Sequence, residues 1–137
     1  FVLAEQVGRA LAQAGFILAN GGYGVTCRAF KNSVANEFVT REVVTDTLQE
    51  RLHNLIKVGR AYVMLPGGTG TLLELAAVWE LKNKGFLDRA RPLIFVGDFW
   101  RPVVELVAAD DPRCRERVTF VGQPSELPGV IENALGL

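Results

Sequence analysis

Short apolar runs alternate along this chain with longer segments in which apolar residues recur at helical spacing. The apolar runs predict strands over 16–19, 25–30, 43–44, 61–65, 92–96 and 118–121. The helical spacing predicts helices over 3–14, 47–59, 72–82, 99–108 and 126–135. Strands that alternate with helices are typical of parallel sheets. We therefore predict an α/β fold, a single Rossmann-like domain over 1–137 with a doubly wound parallel sheet in three layers, α/β/α.

Residues at the ends of these segments support several of the predicted boundaries. Gly15 is well placed to stop the first helix. Thr47 and Glu50 have the spacing of a capping box at the start of the second helix. Ser125 can cap the last helix. The second helix would bury one stripe of apolar residues, namely Leu48, Leu52, Leu55 and Ile56.

The connection between the first two predicted strands is too short for a parallel sheet. Only residues 20–24 separate them, whereas parallel neighbours need a crossover of about a dozen residues or more. The chain also starts in a helix where such a fold starts in a strand. We expect a helical segment to be missing close to Gly24–Val25, together with a first strand. A true deletion and an antiparallel hairpin through Tyr23–Gly24 are the alternatives.

The sequence from Pro66 to Glu74 carries the clearest functional signal. It follows the predicted strand 61–65 and opens the helix 72–82. Glycines let backbone N–H groups approach an anion, and a helix N-terminus adds a favourable dipole. The predicted phosphate-binding residues are Gly67, Gly68, Thr69, Gly70 and Thr71. The spacing matches neither the Walker loop nor the dinucleotide fingerprint, and a tight turn without a ligand is the alternative.

A second glycine-rich turn follows the predicted strand 16–19. It comprises Asn20, Gly21, Gly22, Tyr23 and Gly24. The carboxyl ends of strands in a parallel sheet face a common crevice, so Gly21 and Gly22 are predicted nucleotide contacts. Asn20 has two interpretations, a hydrogen bond to the ligand or a role in shaping the turn.

Composition restricts the partners. The net charge is zero and no basic stripe with interleaved aromatic residues is present, so neither nucleic acid nor a membrane is an expected partner. Cys27 and Cys114 are distant from each other and have no CxxC or histidine companions, so neither a metal site nor a disulfide is predicted. His53 is interpreted as a surface or interface residue. A cytoplasmic location is the default expectation.

The helix 72–82 is apolar around nearly its whole circumference. A helix of this kind is buried on all sides, and in a small domain a second subunit can supply the extra cover. We therefore predict a homodimer or higher homo-oligomer through this helix, with a helix enclosed within the monomer as the alternative.

The pattern Pro-Gly-Gly-x-Gly-Thr-x-x-Glu over 66–74 is similar to the signature of the LOG-like proteins, which are often mislabelled lysine decarboxylases. The family includes cytokinin-activating nucleoside 5′-monophosphate phosphoribohydrolases, and its relatives include molybdenum-cofactor carrier proteins. All motif positions are present, and the resemblance extends from residue 11 to about residue 104.

The resemblance implies roles for Glu74 and Arg51. The motif glutamate of the family lies by the ribose, where a carboxylate can stabilise an oxocarbenium-like transition state or activate water. Thr71 and Glu74 also have capping-box spacing, which is the structural alternative. Arg51 takes the arginine position of the family's Met-His-x-Arg-Lys pattern, with Leu52 in place of the lysine. The alternative for Arg51 is a solvated helix arginine paired with Glu50 or Glu42.

Two functions follow as expectations. The first is hydrolysis of a nucleoside 5′-monophosphate to free base and ribose 5-phosphate, without a cofactor. The second is non-catalytic binding of a nucleotide or molybdenum cofactor, which the loss of the lysine at Leu52 favours. Pyridoxal phosphate chemistry needs a placed Schiff-base lysine. The lysines lie in a loop or at polar helix positions, which argues against a lysine decarboxylase; they are Lys31, Lys57, Lys82 and Lys84.

Overall fold

A computed structural model describes residues 1–20, 24–29 and 39–137. Its strands are β1 (Val25–Cys27), β2 (Val43–Thr45), β3 (Tyr62–Met64), β4 (Leu93–Val96) and β5 (Thr119–Val121). Its α-helices are α1 (Val2–Gln13), α2 (Leu48–Val58), α3 (Thr69–Asn83), α4 (Arg101–Asp110) and α5 (Leu127–Leu135), with 3₁₀ turns at Pro112–Arg117 and Pro124–Glu126. The chain forms two compact units. The larger unit comprises Phe1–Phe16 and Arg60–Leu137, and the smaller unit is Ile17–Gly59.

The larger unit is built around β4. This strand pairs in parallel with β3 on one side and β5 on the other. Ile94 and Val96 pack with α1 and α5, and the alternation of a strand turns Leu93 and Phe95 to the opposite face. All four residues are buried. The predicted parallel, Rossmann-like α/β/α architecture is therefore confirmed in this unit.

α1 ends as its sequence predicts. Gly15 has φ of +83°, in the left-handed region that glycine adopts at low cost. The Phe16 N–H donates to the Leu11 carbonyl at 3.0 Å, which closes the helix end as in a Schellman motif. Val7 and Leu11 then lie in the core beside α5.

The smaller unit contains the parallel pair β1–β2 and the helix α2. The predicted capping box is confirmed, because Thr47 accepts from the Glu50 N–H and the Glu50 side chain accepts from the Thr47 N–H. Thr26 is buried in β1 and donates its hydroxyl to Glu42 at 2.6 Å. Cys27 is buried in the same strand, as expected of a packing residue.

Two boundary predictions are wrong, and one of the alternatives for the short connection is excluded. Residues 16–20 form no strand, since a short apolar run gains strand structure only when a neighbour accepts its backbone hydrogen bonds. β1 pairs in parallel with β2, so the antiparallel hairpin with 16–19 is not formed. Ser125 is not a cap, because Gln123 and Glu126 form a capping box instead. The missing helical segment and first strand stay predictions.

α3 is not enclosed within the single chain, so the alternative of a helix buried inside the monomer is wrong, whereas burial by a second subunit stays a prediction. Its buried residues lie on one face, at Leu75, Val78, Trp79 and Lys82. On the other side Leu72 and Leu73 are 40% and 42% exposed.

No α-helix in the described part of the chain is both long and apolar enough to cross a bilayer.

Candidate functional site

The glycine-rich turn, residues 66–71, lies at the carboxyl end of β3 and leads directly into α3. The helix begins at Thr69, earlier than predicted, and Gly68 is its N-cap. The first intrahelical bond runs from the Leu72 N–H to the Gly68 carbonyl at 3.0 Å. The N–H groups of Thr69, Gly70 and Thr71 precede this bond, at the positive end of the helix dipole. This arrangement suits an anion.

The glycines of this turn have different structural needs. A Cβ on Gly67 would lie 2.2 Å from Thr71 Oγ1 and 2.8 Å from Thr71 Cβ, so no side chain fits there without movement of the helix start. A Cβ on Gly68 or Gly70 would meet nothing within 4 Å. Gly68 has φ of −96°, which other residues adopt freely. The fold therefore does not require glycine at 68 or 70. The absence of a side chain at these two positions leaves open space beside the first amides of α3.

Glu74 lies in the second turn of α3 and is half-buried. The capping-box interpretation required Thr71 at the N-cap, but Gly68 occupies that position. Thr71 is instead the third residue of the helix, so the Thr71–Glu74 capping box is not formed. The predicted phosphate-binding residues Thr69, Gly70 and Thr71 and the predicted catalytic residue Glu74 all lie in the first two turns of α3.

A hydrogen bond from Trp100 connects the turn after β4 with Leu65, the residue that precedes the glycine-rich turn. The buried indole donates from Nε1 to the Leu65 carbonyl at 2.9 Å. The two turns are neighbours because β3 and β4 are adjacent and parallel. Phe99, with its ring edge-on to Trp100 at 5.0 Å, is 55% exposed at the same edge. Sequence reasoning missed both residues. The available signal was a tryptophan directly after a strand, since a buried indole N–H needs an acceptor.

Arg51 and Asn20 belong to the smaller unit. Arg51 is half-buried on α2, and its Nε donates to the Val25 carbonyl at 3.2 Å. The Asn20 backbone carbonyl accepts from the N–H groups of Gly24 and Val25. Gly21 and Gly22 lie outside the described residues.

The carboxylates proposed as partners of Arg51 have other contacts. Glu50 accepts from the N–H groups of Asp46 and Thr47, and Glu42 accepts from the Thr26 hydroxyl. Leu52, which replaces the family's lysine, is half-buried beside Arg51 on the same helix. His53 is exposed.

Perturbed carboxylates in the larger unit lie in exposed ion pairs. Hydrogen bonding to Arg115 lowers the pKa of Glu105, and hydrogen bonding to Arg113 lowers the pKa of Asp111. Glu105 lies on α4, and Asp111 is the N-cap of the 3₁₀ turn that follows this helix. No group of histidine, cysteine and carboxylate side chains able to hold a metal occurs in the described ranges.

The chain matches the profile of a family described as "Possible lysine decarboxylase" over residues 9–127. That span covers most of the chain and includes the whole glycine-rich turn and Glu74. The chain belongs to this family, the LOG-like proteins.

Two curated relatives of this LOG-like protein carry the same name, cytokinin riboside 5′-monophosphate phosphoribohydrolase. The protein from Mycobacterium marinum is 34% identical over 119 residues, covering 72% of this chain and 62% of the relative. The protein from Mycobacterium tuberculosis is 33% identical over 119 residues with the same coverage. The chain thus spans about three fifths of the length of these relatives.

The glycine-rich turn allows a prediction about stability. Gly67→Ala should destabilise the protein by about 1–3 kcal/mol, because the new methyl group overlaps Thr71. Gly68→Ala adds the same methyl group in open space and should change stability by less than about 1 kcal/mol. Urea denaturation of both variants measures the difference, and equal losses would refute the packing argument.

The Trp100 hydrogen bond allows a second prediction. Trp100→Phe keeps an aromatic ring but leaves the Leu65 carbonyl without its donor, which should cost about 1–2 kcal/mol. Trp79→Phe is a matched control, because the Trp79 indole donates to the Cys114 carbonyl at the same 2.9 Å. Both variants should lose comparable stability. Only Trp100→Phe should shift the amide NMR resonances of Gly67 and Gly68. Equal shifts in both variants would contradict a specific connection between Trp100 and the glycine-rich turn.

Proposed function

We propose that this protein hydrolyses the N-glycosidic bond of a nucleoside 5′-monophosphate and releases the free base and ribose 5-phosphate. One observation carries the proposal: α3 begins at Thr69 after the N-cap Gly68, with three amides before its first hydrogen bond and open space over Gly68 and Gly70. A phosphate monoester fits that geometry. The names of the relatives and the complete family motif support the same substrate class.

In the proposed reaction, the bond between ribose C1′ and the base nitrogen breaks, and the base leaves with the electron pair and gains a proton. A water molecule adds its oxygen to C1′ and loses a proton. Glu74 follows the phosphate-binding turn by one helical turn. Its carboxylate is proposed to stabilise the positive charge that develops on the ribose, or to accept the proton from water.

Arg51 is proposed as the second catalytic residue on the basis of its position in the family pattern. A guanidinium can bind phosphate oxygens through two parallel hydrogen bonds. Its Nε already donates to the Val25 carbonyl, which fixes the orientation of the guanidinium and reduces the entropy lost on binding.

The positions of the described lysines do not support lysine decarboxylation, which needs a Schiff-base lysine in the active site. The ammonium of Lys82 donates to backbone carbonyls at the amino end of β4. Lys57 is exposed on α2, and Lys84 is exposed directly after α3. None of these three follows the carboxyl end of a strand, where the glycine-rich turn lies. Lys31 lies outside the described residues.

A carrier function is the second candidate. Leu52 occupies the position of the family's lysine, and a site that lacks one charge can bind a phosphate-bearing ligand without cleaving it. A nucleotide or a molybdenum cofactor would be the ligand.

Release of ribose 5-phosphate from a panel of nucleoside monophosphates tests the proposal. Glu74→Gln should reduce kcat by at least about 100-fold, because the amide carries no charge and is not a base. Gly70→Ala should raise KM at least about tenfold, because its methyl group enters the space proposed for phosphate.

Gly129→Ala is the matched control for Gly70→Ala. Gly129 lies in the first turn of α5, and an added Cβ there also meets nothing within 4 Å. Both substitutions should leave stability unchanged or raise it by up to about 1 kcal/mol, and only Gly70→Ala should affect KM. Nucleotides that stabilise the protein without any release would refute the enzyme and favour the carrier.

We also propose that the protein forms a homodimer through the exposed side of α3. Leu72 and Leu73 are substantially exposed there, with Ala76 one turn further along. Apolar side chains that cluster on one face of a helix are typical of a protein interface.

Light scattering of the purified protein tests the dimer. Leu73→Glu should convert the dimer to a monomer, because the interface would bury an unpaired carboxylate. Leu106→Glu is the control, since Leu106 is 75% exposed on α4, and it should leave the mass unchanged. A monomeric wild-type protein would exclude this assembly.

A further inference from the structure

A pocket of about 230 Å³ lies at the amino end of β4 and β5, the edge of the sheet opposite to the glycine-rich turn. The start of each strand contributes, as do the last turns of α3 and α5. The lining residues are Lys82, Arg89, Ala90, Pro92, Leu93, Glu116, Arg117, Thr119 and Ala134. Because strands in a parallel sheet share one direction, this pocket is separate from the candidate active site.

Lys82 places a buried positive charge beside the pocket. The residue is 4% exposed, and its ammonium donates to the backbone carbonyls of Arg89 and Arg91. These acceptors satisfy hydrogen bonds but carry no full negative charge. Burial lowers the pKa of Lys82, and the positive charge of Arg117 lowers the same pKa further, although Asp88 partly opposes both effects. The positive charges of Lys82 and Arg117 are therefore close enough to repel each other.

Arg89 and Arg117 differ from other arginines of the larger unit. Arg113 and Arg115 each form an ion pair with a carboxylate, Asp111 and Glu105 respectively. In the described part of the chain, the side chains of Arg89 and Arg117 form no ion pair or hydrogen bond. Glu116 supplies one negative charge to the lining, against three positive charges. The pocket therefore has a surplus of positive charge, which Glu116 and the nearby Asp88 offset only in part.

We propose that this pocket is a second anion-binding site, which takes a small phosphate-bearing ligand. The Arg89 and Arg117 side chains have donors available for phosphate oxygens, and the Thr119 hydroxyl lies at the same rim. A bound phosphate supplies the missing negative charge and relieves the repulsion between Arg117 and Lys82. Neither the glycine-rich turn nor Glu74 takes part.

Titration of the ¹⁵N-labelled protein with inorganic phosphate, at constant ionic strength, tests the proposal. The amide resonances of Ala90 and Thr119 should shift and saturate, separately from those of the glycine-rich turn. Arg117→Gln should raise the Kd measured at Ala90 and Thr119 at least tenfold. Gly70→Ala should leave that Kd unchanged, so this result does not depend on the proposed enzymatic function.

Arg113→Gln is the matched control, because it removes one positive charge from the same 3₁₀ turn without touching the pocket lining. It should leave the Kd within twofold of that of the wild-type protein. Equal weakening by Arg113→Gln and Arg117→Gln would show unspecific attraction and overturn the site. So would the absence of shifts at Ala90 and Thr119, or saturation by succinate at lower concentration than by phosphate.

Discussion

Complete burial of β4 on both faces is the constraint on which the larger unit depends. Leu93, Ile94, Phe95 and Val96 are between 0% and 3% exposed, which requires a helical layer on each side and a strand along each edge. Parallel pairing with β3 and β5 satisfies the backbone groups that this burial removes from water. The carboxyl ends of the three strands then share one edge and their amino ends share the other. The glycine-rich turn therefore lies at one edge of the sheet, and the positively charged pocket lies at the other.

At the carboxyl edge, one packing contact determines where α3 begins and therefore which amides are proposed to bind a ligand. Gly67 must lack a side chain because Thr71 packs against it, and this contact sets where the chain turns into the helix. The helix consequently starts at Thr69 and leaves its first amides directed beyond the strand end. Trp100 holds the preceding residue through the Leu65 carbonyl. A rigid turn of this kind loses little entropy when it binds an anion.

At the amino edge, charge rather than backbone geometry distinguishes the pocket. Exposed arginines of the larger unit, such as Arg113 and Arg115, are neutralised by nearby carboxylates. Lys82 is instead buried among carbonyl groups, next to the positive charge of Arg117. Burial of like charges is unfavourable unless a counterion is gained. The surplus of positive charge around the pocket is therefore the observation on which the proposed anion-binding site rests.

The sequence by itself determined the α/β class, the strand centres, the Thr47–Glu50 cap, the stop at Gly15 and the family motif, because each depends on local periodicity or short-range hydrogen bonding. It wrongly predicted the strand 16–19, where Ile17 is 97% exposed, since a strand depends on a neighbour that local sequence does not specify. Only the tertiary structure decided that Gly68 caps α3, that Trp100 meets Leu65, and that Lys82 approaches Arg117. The two contacts, of Trp100 with Leu65 and of Lys82 with Arg117, are formed by the packing of separate elements. The start of α3 depends on the backbone path that leads out of β3. No local sequence pattern encodes either.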